Sequence, residues 1–374
     1  MRRIALQSLL FDIGKLITSV LGVAIATTLL LAQIGIYEGM KVASSRVINN
    51  FGGDVWVMAR GTNVIDNAEI ISAGVRPLVL AHPCVVDARG LIHSMTFARR
   101  PDGSYEAVVL VGADPRREAS YFPWRLVAGL PSDLAQPVAV TVDRLDAHKL
   151  GLPKNPLGAT FELYGQNAHV VGVTRGIRSI MVMPYLFTSL DNARSVLGLT
   201  EGQVSQWVLD LTHPSCAPDV IAWVERHSDI QALNSKGWAE RTEQYWIKES
   251  GAGSMLGLTA LLGLFVGIVI VGQTLYSLTQ QHFKELAMLR VIGANAGELV
   301  SFVAWQVLVI GIAGAVLGTG LAYGVGWIME RSDIEVSLSN SVVSFGLVTI
   351  AAMCALAAGY SVRAVLRIRG TEVF

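Results

Sequence analysis

Apolar residues along this chain gather in four long blocks, set apart by one long stretch in which they come only in short runs. Positions 16–37, 250–283, 299–329 and 336–362 contain no Asp, Glu, Lys or Arg. A bilayer crossing takes about 20 mostly apolar residues at 1.5 Å rise each, so each block can hold one span. One Asp or Arg at a helix centre costs roughly 2.5–3.5 kcal/mol on insertion, which gives the missing charges their weight. The spans are expected at 16–37, 255–278, 300–328 and 342–362.

The helical pattern continues beyond the first block. Ile36, Met40, Ala43 and Val47 recur at helical steps until Phe51-Gly52-Gly53. Residues 238–250 look similar on the approach to the second span, and Gly251, Gly253 and Ser254 offer a joint there. These segments predict two helical stalks within 38–250. Between them the pattern turns strand-like at 54–58, 107–111, 138–142 and 170–173, with helical patches at 145–150, 190–197 and 219–227. The expected fold is an α-helical membrane protein with four transmembrane helices and a mixed α/β domain inserted between helices 1 and 2. The insert, about 210 residues long, is large enough for its own core and for two subdomains.

Composition agrees: 52% of the 374 residues are hydrophobic and 16% charged, against about 25% charged in soluble domains. The formal net charge is zero, and nothing points to nucleic acid. Charge placement gives an orientation. Arg2, Arg3, Lys15, Lys284, Arg290, Arg363, Arg367 and Arg369 flank the spans on one side, whereas the 329–341 loop carries Glu330, Asp333 and Glu335 against Arg331. By the positive-inside rule both termini and the 279–299 loop are cytoplasmic, and the inserted domain and the 329–341 loop lie outside. Residues 1–15 read as an amphipathic interfacial helix or as an extension of the first span. The first apolar run is too long for a signal-peptide core, and Ala24-Ile25-Ala26 falls inside it.

The chain has three cysteines. Cys354 lies in the fourth span as a packing residue. Cys84 and Cys216 both fall in the inserted domain, where an oxidising compartment permits a disulfide; two unpaired cysteines are the alternative. No metal-ligand spacing occurs. No G-x-x-x-x-G-K-[ST] occurs either, so the chain is not expected to hydrolyse ATP itself. Gly263/Gly267, Gly314/Gly318 and Gly320/Gly324 are small-residue steps that suit either a dimer interface or packing within one chain. Gln33, Gln273 and Gln306 are the polar groups noted within spans, and none is ionisable, which argues against an ion-coupled transporter.

The 279–299 loop is longer than a turn requires. Lys284 and Glu285 present charge, Leu286, Leu289 and Ile292 form an apolar side, and Gly293 ends the predicted helix. The run Glu285-x-Ala287-x-Leu289-Arg290-x-Ile292-Gly293-Ala294 resembles the E-x-[AG]-x-L-R-[AS]-[IL]-G-A motif of MacB/FtsX-like, or type VII, ABC transporter permeases, to which LolC and LolE belong. The closing Arg363-Ala364-x-x-Arg367-Ile368-x-x-x-Glu372-Val373 resembles that family's C-terminal pattern, with Ser361 near its proline and Gly370-Thr371 replacing its Asp-Pro. The opening part through Val55-Trp56-Val57-Met58 is similar to the DevC-like branch, which works with a membrane-fusion protein.

The resemblance implies a coupling helix seated on an ATPase subunit, with Lys284, Glu285, Ala287, Leu289, Arg290, Ile292, Gly293 and Ala294 at the contact. It implies a permease without cofactor or catalytic site of its own, ATP and Mg being bound by a partner ATPase present in two copies. A second permease copy, identical or related, is expected, along with a periplasmic adaptor and membrane lipid. The location implied is the bacterial inner membrane. The expected function is mechanotransmission from ATP hydrolysis to the outer domain, in export of a lipid or small hydrophobic molecule. An FtsX-like transducer that activates an outer enzyme is the alternative, as is a component that strips a drug or peptide from the membrane.

Overall fold

The fold is given by a computed structural model, which describes residues 11, 13–113, 126–176, 179–227, 229–281, 288, 295–331 and 334–366. The chain divides into two compact units, Met1–Gly39 with Gly251–Phe374, and Met40–Ser250.

The first unit is helical. Helix α1 (Ile13–Phe51) is one unbroken helix of 39 residues, so the expected span and the expected stalk are parts of a single rod. Among the described residues, four helices are long and apolar enough to cross a membrane. The other three lie after the insert, and we label them α6 (Ala252–Gln281), α7 (Ala296–Arg331) and α8 (Asn340–Leu366). Helix α8 packs along both α6 and α7. Val23, Ala26, Leu30, Val271, Ile310, Ile350, Met353 and Ala357 form the unit's apolar centre.

Two of the three glycine steps make this packing close. A Cβ at Gly267 would lie 2.8 Å from the Cβ of Ala26, and one at Gly314 or Gly318 would press on Val23 or on the Ala24 carbonyl at 2.5 Å. Gly320 and Gly324 have nothing within 4 Å. Before α8, the 334–339 segment lies along α1. The Ser337 N–H donates to the Gly35 carbonyl (2.9 Å), and a side chain at Gly39 would collide with the Glu335 carbonyl.

The second unit is built on a ten-stranded sheet. Its strands are β1 (Val55–Ala59), β2 (Val85–Arg99), β3 (Tyr105–Ala113), β4 (Leu126–Ala128), β5 (Ala139–Asp143), β6 (Thr160–Leu163), β7 (Gln166–Thr174), β8 (Tyr185–Ser189), β9 (Gln206–Leu211) and β10 (Ile230–Asn234). The order is β10-β1-β9-β2-β3-β8-β5-β7-β4, with β6 joining β2 and β7. Pairing is antiparallel except for β3 with β8 and β5 with β7. The fifteen-residue β2 bonds to β9 along its first half and to β3 along its second. It thereby makes one unit of what the sequence left room to divide into two subdomains.

The helices of this unit are α2 (Val75–Leu80), α3 (Leu190–Leu197), α4 (Ala217–Glu225) and α5 (Ser235–Gln244). Two apolar layers result. Val75, Val79, Ala193, Val196, Val220 and Val224, from α2, α3 and α4, are buried in one. Val47, Ile48 and Phe51 from the end of α1, with Trp238 and Ala239 from α5, share the other with Trp56, Met58, Leu91 and Phe187. Burying one large apolar side chain contributes about 1.5–3 kcal/mol, so the last turns of α1 are fixed to the sheet by core packing.

Helix α3 begins where Ser189 Oγ accepts the Asn192 N–H and ends at Gly198 in the left-handed region, as its sequence signals require. The expected helix at 145–150 is a correction: the chain there makes successive turns. The Asp143 carboxylate accepts the Leu145 N–H at 2.9 Å, and Gly151 sits at φ +67°. A side chain that bonds to the backbone two residues on competes with the helical ladder. The second stalk also differs from a plain helix, since α5 gives way to a π-helical turn over Tyr245–Glu249 before Gly251 at φ +77°.

Candidate functional site

The residues expected to meet an ATPase, Lys284, Glu285, Ala287, Leu289, Arg290, Ile292, Gly293 and Ala294, lie outside the described residues, as do 1–10 and 367–374. What borders the loop is described. Helix α6 runs to Gln281, and α7 opens with Glu298 Oε2 accepting the Asn295 N–H at 2.9 Å. A carboxylate there satisfies an otherwise unpaired donor and complements the helix dipole.

A second set of residues was not found from sequence: the anchorage of α1 in the sheet. Gly52 and Gly53 take φ +72° and +83°, stopping the helix. A Cβ at Gly53 would strike Val208 Cγ1 at 2.2 Å, so the chain enters the sheet here only as glycine. The Asp54 N–H donates to the Leu209 carbonyl (2.9 Å), and the Asp54 carboxylate accepts the Leu211 N–H (2.8 Å). Ser235, the first residue of α5, reaches the same point: its Oγ donates to the Gly53 carbonyl and accepts from Trp56 Nε1 at 3.0 Å. The exit of the first stalk and the entry of the second are thus fastened together.

Arg89 completes the anchorage. It is buried on β2, opposite Val208 of β9. Its Nε and Nη2 donate to Asp210 at 2.9 and 3.0 Å, and its Nη1 donates to the Phe51 carbonyl at 3.4 Å. The guanidinium carbon also lies 5.0 Å from the centre of the Phe51 ring. A cation at the C-terminal carbonyls of a helix is favourable for the dipole and for the orphan acceptors.

Beside the anchorage lies a buried polar group. Trp246 Nε1, in the π-helical turn, donates to Asp66 Oδ2 at 3.2 Å. Asp66 Oδ1 is 3.8 Å from Nε2 of the fully enclosed His93, whose ring faces Tyr185 at 6.0 Å. Burial pushes the His93 imidazole below its usual value, with the Asp66 charge acting the other way. Cys84 and Cys216 are joined as a disulfide, with Cα atoms 6.3 Å apart.

In the membrane unit a cavity of about 490 Å³ opens between α1, α6 and the start of α8. Ile34, Leu256, Ala260, Val342 and Phe345 form its apolar wall, and Gln33, Tyr37, Glu38, Ser339 and Ser341 supply polar atoms.

The MacB-like periplasmic core domain matches residues 16–234, and the FtsX-like permease C-terminal domain matches 257–369. The chain belongs to the MacB/FtsX-like permease family. It is a multi-pass membrane protein of ABC type, from a family whose ATPase activity lies in a partner. An uncharacterised ABC transporter permease of Mycobacterium tuberculosis, found in two strains, is 20% identical over 319 residues, 85% of this permease and 84% of that one. Among solved structures, the periplasmic region of MacB from Actinobacillus actinomycetemcomitans matches 52% of this permease and 95% of its own length, at 13% identity and a TM-score of 0.39. The extracellular domain of the noncanonic ABC-type transporter YknZ from Gram-positive bacteria matches 49% and 99%, at 13% identity and a TM-score of 0.37.

Proposed function

We propose that this permease couples ATP hydrolysis in a separate ATPase to movement of its inserted domain, and that the movement drives export of a lipid or small hydrophobic molecule. The permease acts as a pair in the bacterial inner membrane, with both termini and the 279–299 loop cytoplasmic. Two ATPase copies bind ATP and Mg, and this chain binds neither. Closure of the ATPases pushes the segment around Glu285, Leu289 and Arg290. The inserted domain, outside the membrane, transmits the motion to a periplasmic adaptor.

The observation that carries this reading is the continuity of α1. One helix runs from the charge-free stretch into the inserted domain, and its last turns are locked by Phe51, Arg89 and Ser235. A helix without a break transmits displacement along its axis. Export is preferred to signalling alone because the membrane unit holds a cavity of about 490 Å³ beside Gln33, within the size range of small-molecule sites.

The test is a break in the rod. Ser44→Pro removes an intrahelical hydrogen bond and costs about 3 kcal/mol or more in a helix interior. In the complex with its ATPase, the variant is expected to keep ATP hydrolysis. Nucleotide-dependent changes in hydrogen exchange in β1, β2 and β9 should vanish. Their persistence in the variant would contradict transmission through α1.

A further inference from the structure

The joint of the second stalk rests on a carboxylate that has two partners within reach. Helix α5 carries Trp238 and Thr242, four residues apart and both fully buried. Trp246 follows at the same step of four. In a straight α-helix each such step overshoots the facing direction by about 40°, so Trp246 would turn aside. At this point the chain changes to the π-helical turn over Tyr245–Glu249, closed by the Ser250 N–H on the Tyr245 carbonyl at 3.0 Å. The wider turn takes up part of the overshoot, and Trp246 Nε1 reaches Asp66 Oδ2 at 3.2 Å. Turn and hydrogen bond form one device.

The Asp66 carboxylate is thinly held. Its side chain is 6% exposed, and among the described residues Trp246 Nε1 is its one hydrogen-bond donor. A carboxylate this deep in a protein is stabilised by further hydrogen bonds to its lone pairs. His93 stands at the second oxygen: its Nε2 is 3.8 Å from Asp66 Oδ1, outside hydrogen-bond range. Both ring nitrogens of His93 are buried without a hydrogen-bond partner among the described residues, which native interiors seldom tolerate. Burial favours the neutral ring. A neutral imidazole with its proton on Nε2 is a donor, so His93 can offer Asp66 the bond that Trp246 provides, with no change of charge.

We propose that Asp66 is a two-position latch on the second stalk. In one position it holds Trp246 and the π-helical turn. In the other it moves by about 1 Å into hydrogen-bond range of His93 and lets go of Trp246. His93 keeps the exchange from stranding a buried charge. The freed turn rewinds toward α-helix, and the chain beyond it turns by up to one residue's rotation, about 100°. Gly251, at φ +77° with nothing within 4 Å of a Cβ, is the joint that absorbs the change. The latch deepens the coupling reading and rests on it only in naming the ATPase cycle as what shifts it; the exchange of partners stands apart.

The test is a double-variant cycle on the full chain in nanodiscs, read by hydrogen exchange on peptides covering 245–251 and by the thermal midpoint. Trp246→Phe keeps a ring and removes the N–H, and should speed exchange there about tenfold, the loss of one hydrogen bond to a carboxylate. His93→Leu removes the second partner; it should slow that exchange and leave the midpoint close to that of the wild type. On the Trp246→Phe background the same His93→Leu change should lower the midpoint sharply, because Asp66 is then left with no donor. Unchanged exchange in Trp246→Phe, or midpoint shifts that simply add in the double variant, would overturn the latch. Adding ATP and Mg to the complex with its ATPase then tests what moves it. Faster exchange at 245–251 in the wild type, absent from His93→Leu, assigns the shift to the ATPase cycle. No response at 245–251 would overturn that link to coupling, while the double variant still decides the exchange of partners.

Discussion

Arg89, in the first half of β2, holds the last residue of the first membrane helix: its Nη1 donates to the Phe51 carbonyl, and its guanidinium lies 5.0 Å from the Phe51 ring. The same side chain grips Asp210 with its two other nitrogens. Lysine cannot reproduce that fork. Arg89→Lys should therefore destabilise the domain by about 2–3 kcal/mol, through lost charge-assisted hydrogen bonds to Asp210 and to the Phe51 carbonyl. For a unit of this size that is about 4–12 °C in the thermal midpoint, read by tryptophan fluorescence of the detergent-solubilised chain. An unchanged midpoint would mean that Phe51 is held by apolar packing alone.

How much of this could be read from the chain beforehand differs from one element to the next. The four spans were legible because a soluble fold seldom runs about 20 residues without a charge. The end of α1 was legible at Phe51-Gly52-Gly53, where a helical repeat meets two residues that accept positive φ. The helical patch at 190–197 matches α3, and the cap at Ser189 and the stop at Gly198 emerge from the structure. The helix expected at 145–150 failed because Asp143, just before it, offers its carboxylate to the Leu145 N–H, a local competition that periodicity does not register. The anchorage was invisible for another reason. Arg89, Asp210 and Ser235 are far apart in sequence, and only the pairing of β2 with β9 brings the first two together. A lone arginine among Ala88, Gly90 and Leu91 was the one available signal.

His93 makes stability depend on pH. Its imidazole is held below its ordinary value by burial, so between about pH 6.5, where a free histidine titrates, and the lower folded value the unfolded chain binds more protons. Stability therefore falls as pH drops below about 6.5 and continues to fall until the folded value is reached. His93→Gln should flatten this dependence between pH 7 and 5. A variant with the same slope as the wild type would assign the effect to other groups.

The Cys84–Cys216 bond closes a loop with a sequence separation of 132. Removing such a link typically costs about 2–4 kcal/mol. Reduction with dithiothreitol should lower the midpoint of the wild type, and the Cys84→Ser, Cys216→Ser double variant should start lower and show no response. A midpoint insensitive to reductant in the wild type would contradict the pairing. It would also weaken the placement of the domain in an oxidising compartment.

The glycine steps separate by neighbourhood. Gly318→Leu drives a side chain into the Ala24 carbonyl and Thr27, and overpacking of this kind costs about 1–3 kcal/mol. Gly324→Leu meets open space and should leave the midpoint unchanged. If both variants behave alike, the close approach of α7 to α1 is wrong.

The proposed drive of this permease by a separate ATPase runs through the segment around Arg290. The direct test is to purify tagged chain from native membranes in mild detergent and to measure the ATPase activity that accompanies it, with Arg290→Glu in parallel. A P-loop ATPase is expected to co-purify with the wild type and to be lost or uncoupled with Arg290→Glu, the variant remaining inserted and folded. A chain that purifies without ATPase activity, or an Arg290→Glu variant that retains full coupled activity, would contradict it.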